Sequence, residues 1–281
     1  MSSIIYPQYI TWEVSLIEKT SALSCFSAEI SKKIPKTLLR LKEAGYTFVF
    51  ERVDTSYMKN FSVIYKENIT QKNNPKIFDV EAEIAKKILE GSTIEALSLY
   101  KNDTYLGGSI YRVLDEKFSV IYRSFVKSFE FSLPVNIGIV GDFLLYQKAI
   151  DEKKMHITHG RDRNLYGLHS DPGLVQFKLS VGGIPHVSKH ENQILFSREK
   201  EDISGKNIKI IEGDTPSILN QNFYSSKECV FIFLGEQKDT KVTKAILYTK
   251  NTDPEFLKKH NYLFKNPNFT TEVIEIEKIP Y

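Results

Sequence analysis

Residues 156–164 form the densest polar stretch of the chain and read HITHGRDRN. A strand predicted over Met155–His159 places His156 and Thr158 on one face and His159 on the other, because side chains alternate along a strand. A histidine titrates near neutral pH and can take a proton from an attacking nucleophile, directly or through water. His159, at the end of the strand, is therefore our candidate general base. A surface histidine that only makes hydrogen bonds is the alternative.

Two arginines follow, one on each side of an acid. A guanidinium binds carboxylates and phosphates through two parallel hydrogen bonds, so Arg161 and Arg163 are predicted to contact an acidic ligand, with Asn164 beside them. Asp162 can equally pair with one arginine as a structural ion pair, and both interpretations stay open. The His-x-x-His spacing suits zinc, but no third ligand follows at a helical or loop spacing, and we predict no metal.

A glycine-punctuated segment, residues 133–142 with the sequence LPVNIGIVGD, precedes an apolar helix predicted over Phe143–Ile150. A turn between a strand and a helix leaves backbone N–H groups at the helix start without partners, and a phosphate or pyrophosphate can bind there. The predicted contacts are Asn136, Gly138, Ile139, Val140 and Gly141. The six-residue glycine pattern of a dinucleotide fingerprint is absent, which argues against a nucleotide oxidoreductase. Upstream, Gly107 and Gly108 interrupt a strand where another group can approach the backbone, and we predict that they contact substrate.

The elements that must position these residues follow from periodicity and capping signals. Strands are predicted over Tyr46–Val53, Glu95–Tyr100, Thr104–Leu114, Lys117–Val126, Met155–His159, His186–Ser188 and Gln193–Ser197. Further helices are predicted over Ser27–Ala44 with an interruption at Pro35, after the Asp54 cap, over Asp79–Leu89, and from Asp171-Pro172 to Gly182-Gly183. Beyond residue 199 we predict strands at Asn207–Ile211, Cys229–Leu234, Val242–Thr249 and Thr271–Glu277, and a helix at Pro254–Phe264.

The composition shifts at a charged loop, residues 198–206. We therefore predict an N-terminal flanking helical segment over residues 1–45, a core over 46–198, and a small C-terminal α+β subdomain over 199–281. A net charge of +3, with basic and acidic residues interspersed, gives no indication of a nucleic-acid partner. Two distant cysteines indicate a reducing cytoplasm, and no segment approaches the ~20 apolar residues of a membrane span. We expect a cytoplasmic protein without a membrane partner.

The order of elements from Tyr46 to Ser197 resembles the GNAT superfamily of N-acyltransferases, including the Fem-type aminoacyl transferase group. The resemblance is carried by Tyr105–Gly108, by the Asn136–Gly141 turn, and by residues 173–183 with the sequence GLVQFKLSVGG. The resemblance covers roughly half the chain, and it lies in the order of the helices and strands more than in exact sequence motifs. It implies an α/β (α+β) fold with a mixed, mainly antiparallel, splayed sheet flanked by helices.

The resemblance further implies an acyl-CoA donor, acetyl-CoA in the simplest case, lying in a split between Lys117–Val126 and Met155–His159. Its pyrophosphate is expected on Gly138–Gly141, and its 3′-phosphate is a candidate ligand of the arginine pair. Many members of the superfamily have a tyrosine near the start of the helix that contains the aromatic-lysine pair, and this tyrosine protonates the leaving thiolate. Phe177-Lys178 stands there in this chain, so Tyr166 is the replacement by position.

Three functions stay open at this level. The chain is an acetyltransferase or other acyltransferase acting on an amine of a small molecule or peptide, a Fem-like aminoacyl transferase, or a catalytically inactive binding or assembly module of the same fold. A homodimer is compatible with each of them.

Overall fold

A computed structural model describes residues 4–7, 9–71, 77–164, 166–167, 172–188, 194–195, 229–236, 240–249 and 251–275. The strands are β1 (Ile4–Tyr6), β2 (Tyr9–Ser15), β3 (Tyr46–Arg52), β4 (Thr93–Lys101), β5 (Thr104–Val113), β6 (Lys117–Phe125), β7 (His156–Arg163), β8 (Ile184–Val187), β9 (Ile194–Leu195), β10 (Cys229–Glu236), β11 (Val242–Thr249) and β12 (Thr270–Glu275). The helices are α1 (Ala28–Glu43), α2 (Thr55–Thr70), α3 (Val80–Leu89), α4 (Ile137–Asp151), α5 (Pro172–Ser180), α6 (Pro254–Lys259) and α7 (Asn261–Phe264). A 3-10 turn spans Ala22–Cys25.

The chain divides into two units. The larger comprises Val14–Gly160 and Ser180–Gly182, and the smaller comprises Met1–Glu13, Arg161–Leu179 and Gly183–Tyr281. These units do not follow the predicted boundaries after residues 45 and 198, and that domain division stays a prediction. Asp171 and the predicted strand Asn207–Ile211 lie outside the described residues.

The larger unit contains a mixed sheet in the order β3-β4-β5-β6-β7. The strands β3 to β6 are antiparallel neighbours, and β7 is parallel to β6. The β4–β5 hairpin turns at Asn102 and Asp103, whose φ angles of 47° and 64° suit short polar side chains that tolerate the left-handed region. The predicted mixed, mainly antiparallel sheet is confirmed.

Helices cover both faces of this sheet. Ala96 packs with Phe61 of α2 and Ile84 of α3 in one apolar cluster. Its neighbour Leu97 points to the opposite face, towards Gly141 of α4, because successive side chains of a strand alternate. Asp54 and Asp79 cap α2 and α3 through their carboxylates, as carboxylates at helix N-termini commonly do.

The strands β6 and β7 are paired only where they begin. Lys117 pairs with His156, Phe118 with Ile157 and Ser119 with Thr158, and no later residue of β6 has a partner on β7 among the described residues. The pairing of β6 with β5 shifts in register between Ile110 and Tyr111 of β5. Such a bulge bends a strand, and it lies between the three β6 residues that pair with β7 and the C-terminal end of β6. The larger unit therefore has the splayed, mainly antiparallel sheet that the sequence predicts.

The smaller unit contains a second sheet in the order β12-β11-β10-β1-β9, parallel only between β11 and β12. The strands β2 and β8 pair with each other, from Ile10 with Val187 to Glu13 with Ile184. Trp12, Phe231 and Phe233 are fully buried in its core. The predicted C-terminal α+β arrangement is confirmed, whereas β1 and β2 were not predicted.

The helix α1 runs through Pro35 without a break, so the predicted interruption is wrong. A proline removes one backbone hydrogen bond, but Ile34, Thr37 and Leu41 are buried along one face and stabilise the helix around it. Among the described residues, none of the helices has the length and apolar character needed to cross a bilayer.

Candidate functional site

A cleft of about 760 Å³ opens in the larger unit where β6 ends and α4 begins. Its walls are the last residues of β6, the segment that follows it, the C-terminal part of α2 and the first turn of α4. The lining residues are Asn68, Ile69, Arg123, Ser124, Phe125, Val126, Lys127, Ser128, Phe129, Phe131, Ser132, Leu133, Val135, Asn136, Ile137 and Gly138. About half of these side chains are apolar, and the charged ones are Arg123 and Lys127. The cleft thus suits a ligand with an apolar and an anionic part.

The helix α4 starts inside the predicted glycine turn. Asn136 is its N-cap, and the side-chain oxygen accepts a hydrogen bond from the amide of Gly138 at 2.8 Å. The amide of Ile139 donates to the Asn136 carbonyl at 3.0 Å, whereas the amide of Ile137 donates to no described residue. The positive end of the helix dipole therefore lies at the wall of the cleft, where an anion is favoured.

Because α4 already begins at Ile137, most of the predicted donor contacts lie in a helix and not in a turn. Asn136 and Gly138 line the cleft, as predicted for donor contacts. Val140 is fully buried, and Gly141 lies in the helix, where an added Cβ atom would be 3.2 Å from the Phe125 ring. Ile139, Val140 and Gly141 are therefore residues of the helix and not of an open turn, and they are absent from the lining of the cleft.

Arg123 and Asp142 form an ion pair behind the cleft wall. Their Nη1 and Oδ2 atoms are 2.6 Å apart, and the Asp142 side chain is only 1% exposed. The sequence leaves two roles open for Asp142 at the start of the predicted helix. Its carboxylate either caps the helix or repels a phosphate bound nearby. The structure gives it a different role, since its charge is neutralised by a guanidinium that itself reaches the cleft.

His159 is buried beside this ion pair, on the strand that diverges from β6. Its Nδ1 atom lies 3.9 Å from Asp142 Oδ1, and its Nε2 atom lies 2.5 Å from the hydroxyl of Tyr146. That hydroxyl donates to the Val181 carbonyl at 3.0 Å, so its oxygen can accept a hydrogen bond from His159 in the tautomer that carries its proton on Nε2. The pKa of Tyr146 lies well above its usual value, mainly because the side chain is buried and secondly because the negative charge of Asp142 is close.

This arrangement restricts what His159 can do chemically. The side chain is 3% exposed, and the Tyr146 hydroxyl that contacts it is fully buried and bonded to a backbone carbonyl, so His159 exchanges protons only with a group that contacts it directly. The structure thus brings His159 together with Arg123, Asp142 and Tyr146. Its role as general base stays a prediction.

Gly107 and Gly108 admit close neighbours, but these neighbours belong to the protein itself. An added Cβ atom at Gly107, where φ is +113°, would be 2.2 Å from the Ser124 carbonyl oxygen on β6. At Gly108 it would be 2.6 Å from the Tyr57 hydroxyl. The two glycines thus allow β5 to pack tightly within the sheet and under α2.

Tyr166, the predicted acid, lies in the core of the smaller unit. Its hydroxyl accepts a hydrogen bond from Trp12 Nε1 at 2.8 Å and donates to Asp162 at 3.3 Å. Burial, followed by the charge of Asp162, raises the pKa of this phenol. Asp162 also pairs with Lys178 at 2.9 Å. The acid role stays a prediction for a side chain whose hydroxyl is fully buried.

The three predicted ligand contacts of residues 161–164 also belong to the smaller unit. Arg161 is exposed and lies over the Tyr9 ring at 4.5 Å, while Arg163 is exposed at the end of β7. Asn164 is fully buried and holds β10 in place, since its amide bonds both the N–H and the carbonyl of Phe233. Asn164 therefore has a structural role in the unit, and its role as a ligand contact stays a prediction.

The sequence pattern does not single out Arg123, Tyr146, Asn68 or Lys127 as residues of the buried cluster and the cleft. Asn68 closes the end of β6 by donating to Ser124 Oγ and to the Phe125 carbonyl. One signal was available, because Asp142 and Tyr146 are four residues apart and lie on one face of a helix. Within the described part of the chain, no group of three or more His, Cys, Asp or Glu side chains is placed to hold a metal ion.

No protein-family model matches the chain, and no curated protein matches it at a significant level. Among solved structures, L-PGS from Bacillus licheniformis matches 65% of this chain and 59% of its own, at 14% identity and a TM-score of 0.44. FemX matches 64% of this chain and 60% of its own, at 14% identity and a TM-score of 0.48. A conserved protein of unknown function from Bacteroides thetaiotaomicron matches 64% and 58%, at 10% identity and a TM-score of 0.43.

The chain thus spans about three fifths of the length of these solved structures. Likenesses at this level carry no argument about activity or substrate.

Proposed function

We propose that the larger unit is an acyltransferase, which binds an acyl donor in the cleft between β6 and α4 and transfers the acyl group to an amine. The single observation that supports this most is the position of the cleft, which is lined by the end of β6 on one side and by the first turn of α4 on the other. The helix start supplies N–H groups for the anionic part of the same ligand.

Acyl-CoA, with acetyl-CoA as the simplest example, has the matching chemistry. Its pantetheine arm fits the apolar lining of Phe125, Val135 and Ile137, and its pyrophosphate fits the start of α4. The volume of about 760 Å³ lies in the range of ~300–1,000 Å³ that small-molecule sites occupy. Lys127 is the exposed cation of the cleft, because Arg123 is already paired with Asp142.

Acyl transfer to an amine forms a C–N bond and breaks the C–S bond of the thioester. The attacking amine must lose a proton, and the leaving thiolate must gain one. We assign the first transfer to His159, which the amine must contact directly, because the neighbouring Tyr146 hydroxyl is fully buried and donates to the Val181 carbonyl. The leaving thiolate gains its proton from solvent in the open cleft.

A binding module without catalysis is the second candidate, and one observation favours it. The His159 side chain is 3% exposed and is engaged by Tyr146 and Asp142, so the proposed base has little access to an acceptor. Such a module would bind the same donor and would release no free thiol from acetyl-CoA in the presence of amines. A Fem-like aminoacyl ester is the alternative donor for the same cleft.

Calorimetric titration with acetyl-CoA tests the donor site. Lys127→Glu should weaken binding about tenfold, because it replaces a favourable charge at the cleft by a repulsive one. Lys36→Glu reverses an equally exposed charge on α1, outside the cleft, and should leave the affinity unchanged. Equal affinities of both variants, or no binding by the unmodified chain, would refute the acyl-CoA site.

A further inference from the structure

The strand β3 forms one edge of the sheet in the larger unit. It pairs with β4 along all seven residues, from Tyr46 with Lys101 to Arg52 with Glu95, without a register shift. No other described strand pairs with its outer side. One row of its backbone N–H and C=O groups is therefore available to another strand.

This edge lacks the features that usually protect a strand from pairing. It contains no proline and no bulge, and its first five residues carry no charge. Val49 and Phe50 are each 39% exposed, which is high for apolar side chains in the middle of a strand. Natural edge strands are commonly short, bulged or interrupted by charges, so an unprotected edge of this length indicates a partner strand.

We propose that the partner is a second copy of this chain, which adds its own β3 in antiparallel orientation with a twofold axis at Val49. Antiparallel pairing of identical strands is isologous, so one surface patch supplies both halves of the interface. Val49 is the central residue of β3, and an axis at this position pairs all seven residues of both strands. Moving the axis by one residue leaves two residues of each strand unpaired.

The side chains that face each other in this register are compatible. Arg52 lies opposite Tyr46 of the partner subunit, whose ring is already buried against its own Phe129 and Phe131, and Glu51 lies opposite Thr47 of the partner subunit, so no like charges meet. Phe48 lies opposite Phe50 of the partner subunit, and Val49 lies opposite its own copy. An axis at Glu51 or at Arg52 would instead place identical charges opposite each other, which is unfavourable. The charge pattern therefore selects a register near the strand centre.

A cysteine placed on the twofold axis tests this register directly. Residues directly opposite in an antiparallel pair have Cα atoms about 4.5–5.5 Å apart, within the ~4.4–6.8 Å range of disulfides. Under mild oxidation, Val49→Cys should give mostly disulfide-linked dimers. Val63→Cys on α2, where Val63 is 56% exposed, is the matched control and should stay mostly monomeric. Both variants keep Cys25 and Cys229, so the comparison isolates the added thiol.

Sedimentation velocity provides the second measurement. The unmodified chain should show a concentration-dependent dimer, which Val49→Lys should abolish by placing two lysines on the axis, whereas Val63→Lys should leave it unchanged. A chain that is monomeric at every concentration, or equal crosslinking of Val49→Cys and Val63→Cys, would overturn the proposal. Crosslinking of Val49→Cys only to a different protein would also overturn it.

Discussion

The ion pair of Arg123 and Asp142 offers a quantitative test of the buried cluster. Asp142 is 1% exposed, whereas the Arg123 side chain is 24% exposed and reaches the cleft. Arg123→Met keeps the aliphatic stem but leaves a buried carboxylate without its guanidinium. Removing one partner of a buried pair typically costs about 3–5 kcal/mol, because the remaining charge has lost its compensation.

The two partners should respond unequally. Asp142→Asn leaves an arginine that can turn its charge to water, so we expect it to cost less than Arg123→Met. Combining the two substitutions removes both charges, and the double variant should be more stable than Arg123→Met alone by about 1–2 kcal/mol. Additive losses are expected only if the two side chains do not interact.

Urea unfolding followed by far-UV circular dichroism at pH 7 measures these differences. At about 2–4 °C per kcal/mol, Arg123→Met should also lower Tm by about 6–20 °C. A cost below about 1 kcal/mol for Arg123→Met would refute the reasoning. So would a double variant that is less stable than Arg123→Met.

Two further predictions concern the sheet of the larger unit and the helix above it. Gly107→Ala should destabilise the protein by more than about 2 kcal/mol, because the added Cβ atom would lie 2.2 Å from the Ser124 carbonyl oxygen. The control is Gly91→Ala, where φ is also positive but no atom lies nearby, and it should cost only about 1 kcal/mol. Equal urea midpoints for the two variants would contradict this. Burial raises the pKa of Tyr57 to about 12. The unfolded chain therefore loses this proton at a lower pH than the folded protein, and the contribution of Tyr57 to the free energy of unfolding is fully present only below pH 10. It should be lost at up to about 1.4 kcal/mol per pH unit as the pH rises from 10 to 12. Tyr57→Phe should lose less stability than the unmodified chain between pH 9 and 11.5, and identical slopes in urea titrations would show that Tyr57 does not contribute.

The parts of the fold that the sequence predicts are those with local causes. Asp54 and Asp79 cap helices that begin one residue later, and both caps are visible in the sequence. Asn102-Asp103 predicts the hairpin because these residues tolerate the positive φ angles that the turn requires. Boundaries in this part of the chain are accordingly close to the predicted ones.

The parts that the sequence analysis missed depend on distant partners. The strand β2 alternates buried Ile10, Trp12 and Val14 with partly exposed residues, yet its pairing partner β8 lies more than 170 residues away. In the candidate site, Asp142 has the expected position of a helix cap, and only the fold brings it against Arg123 and His159. Similarly, the glycine-rich segment is compatible with a turn or a helix, and packing of Gly141 against Phe125 decides for the helix.

The most direct test of the central claim is hydrogen–deuterium exchange of the full chain with and without saturating acetyl-CoA. The claim is that a donor binds in the cleft where β6 ends and α4 begins. We predict that acetyl-CoA slows exchange in peptides covering residues 124–128 and 136–140, and leaves peptides of β3 unchanged. Protection confined to other segments, or none at a concentration well above millimolar, would contradict the assignment of this cleft to an acyl donor.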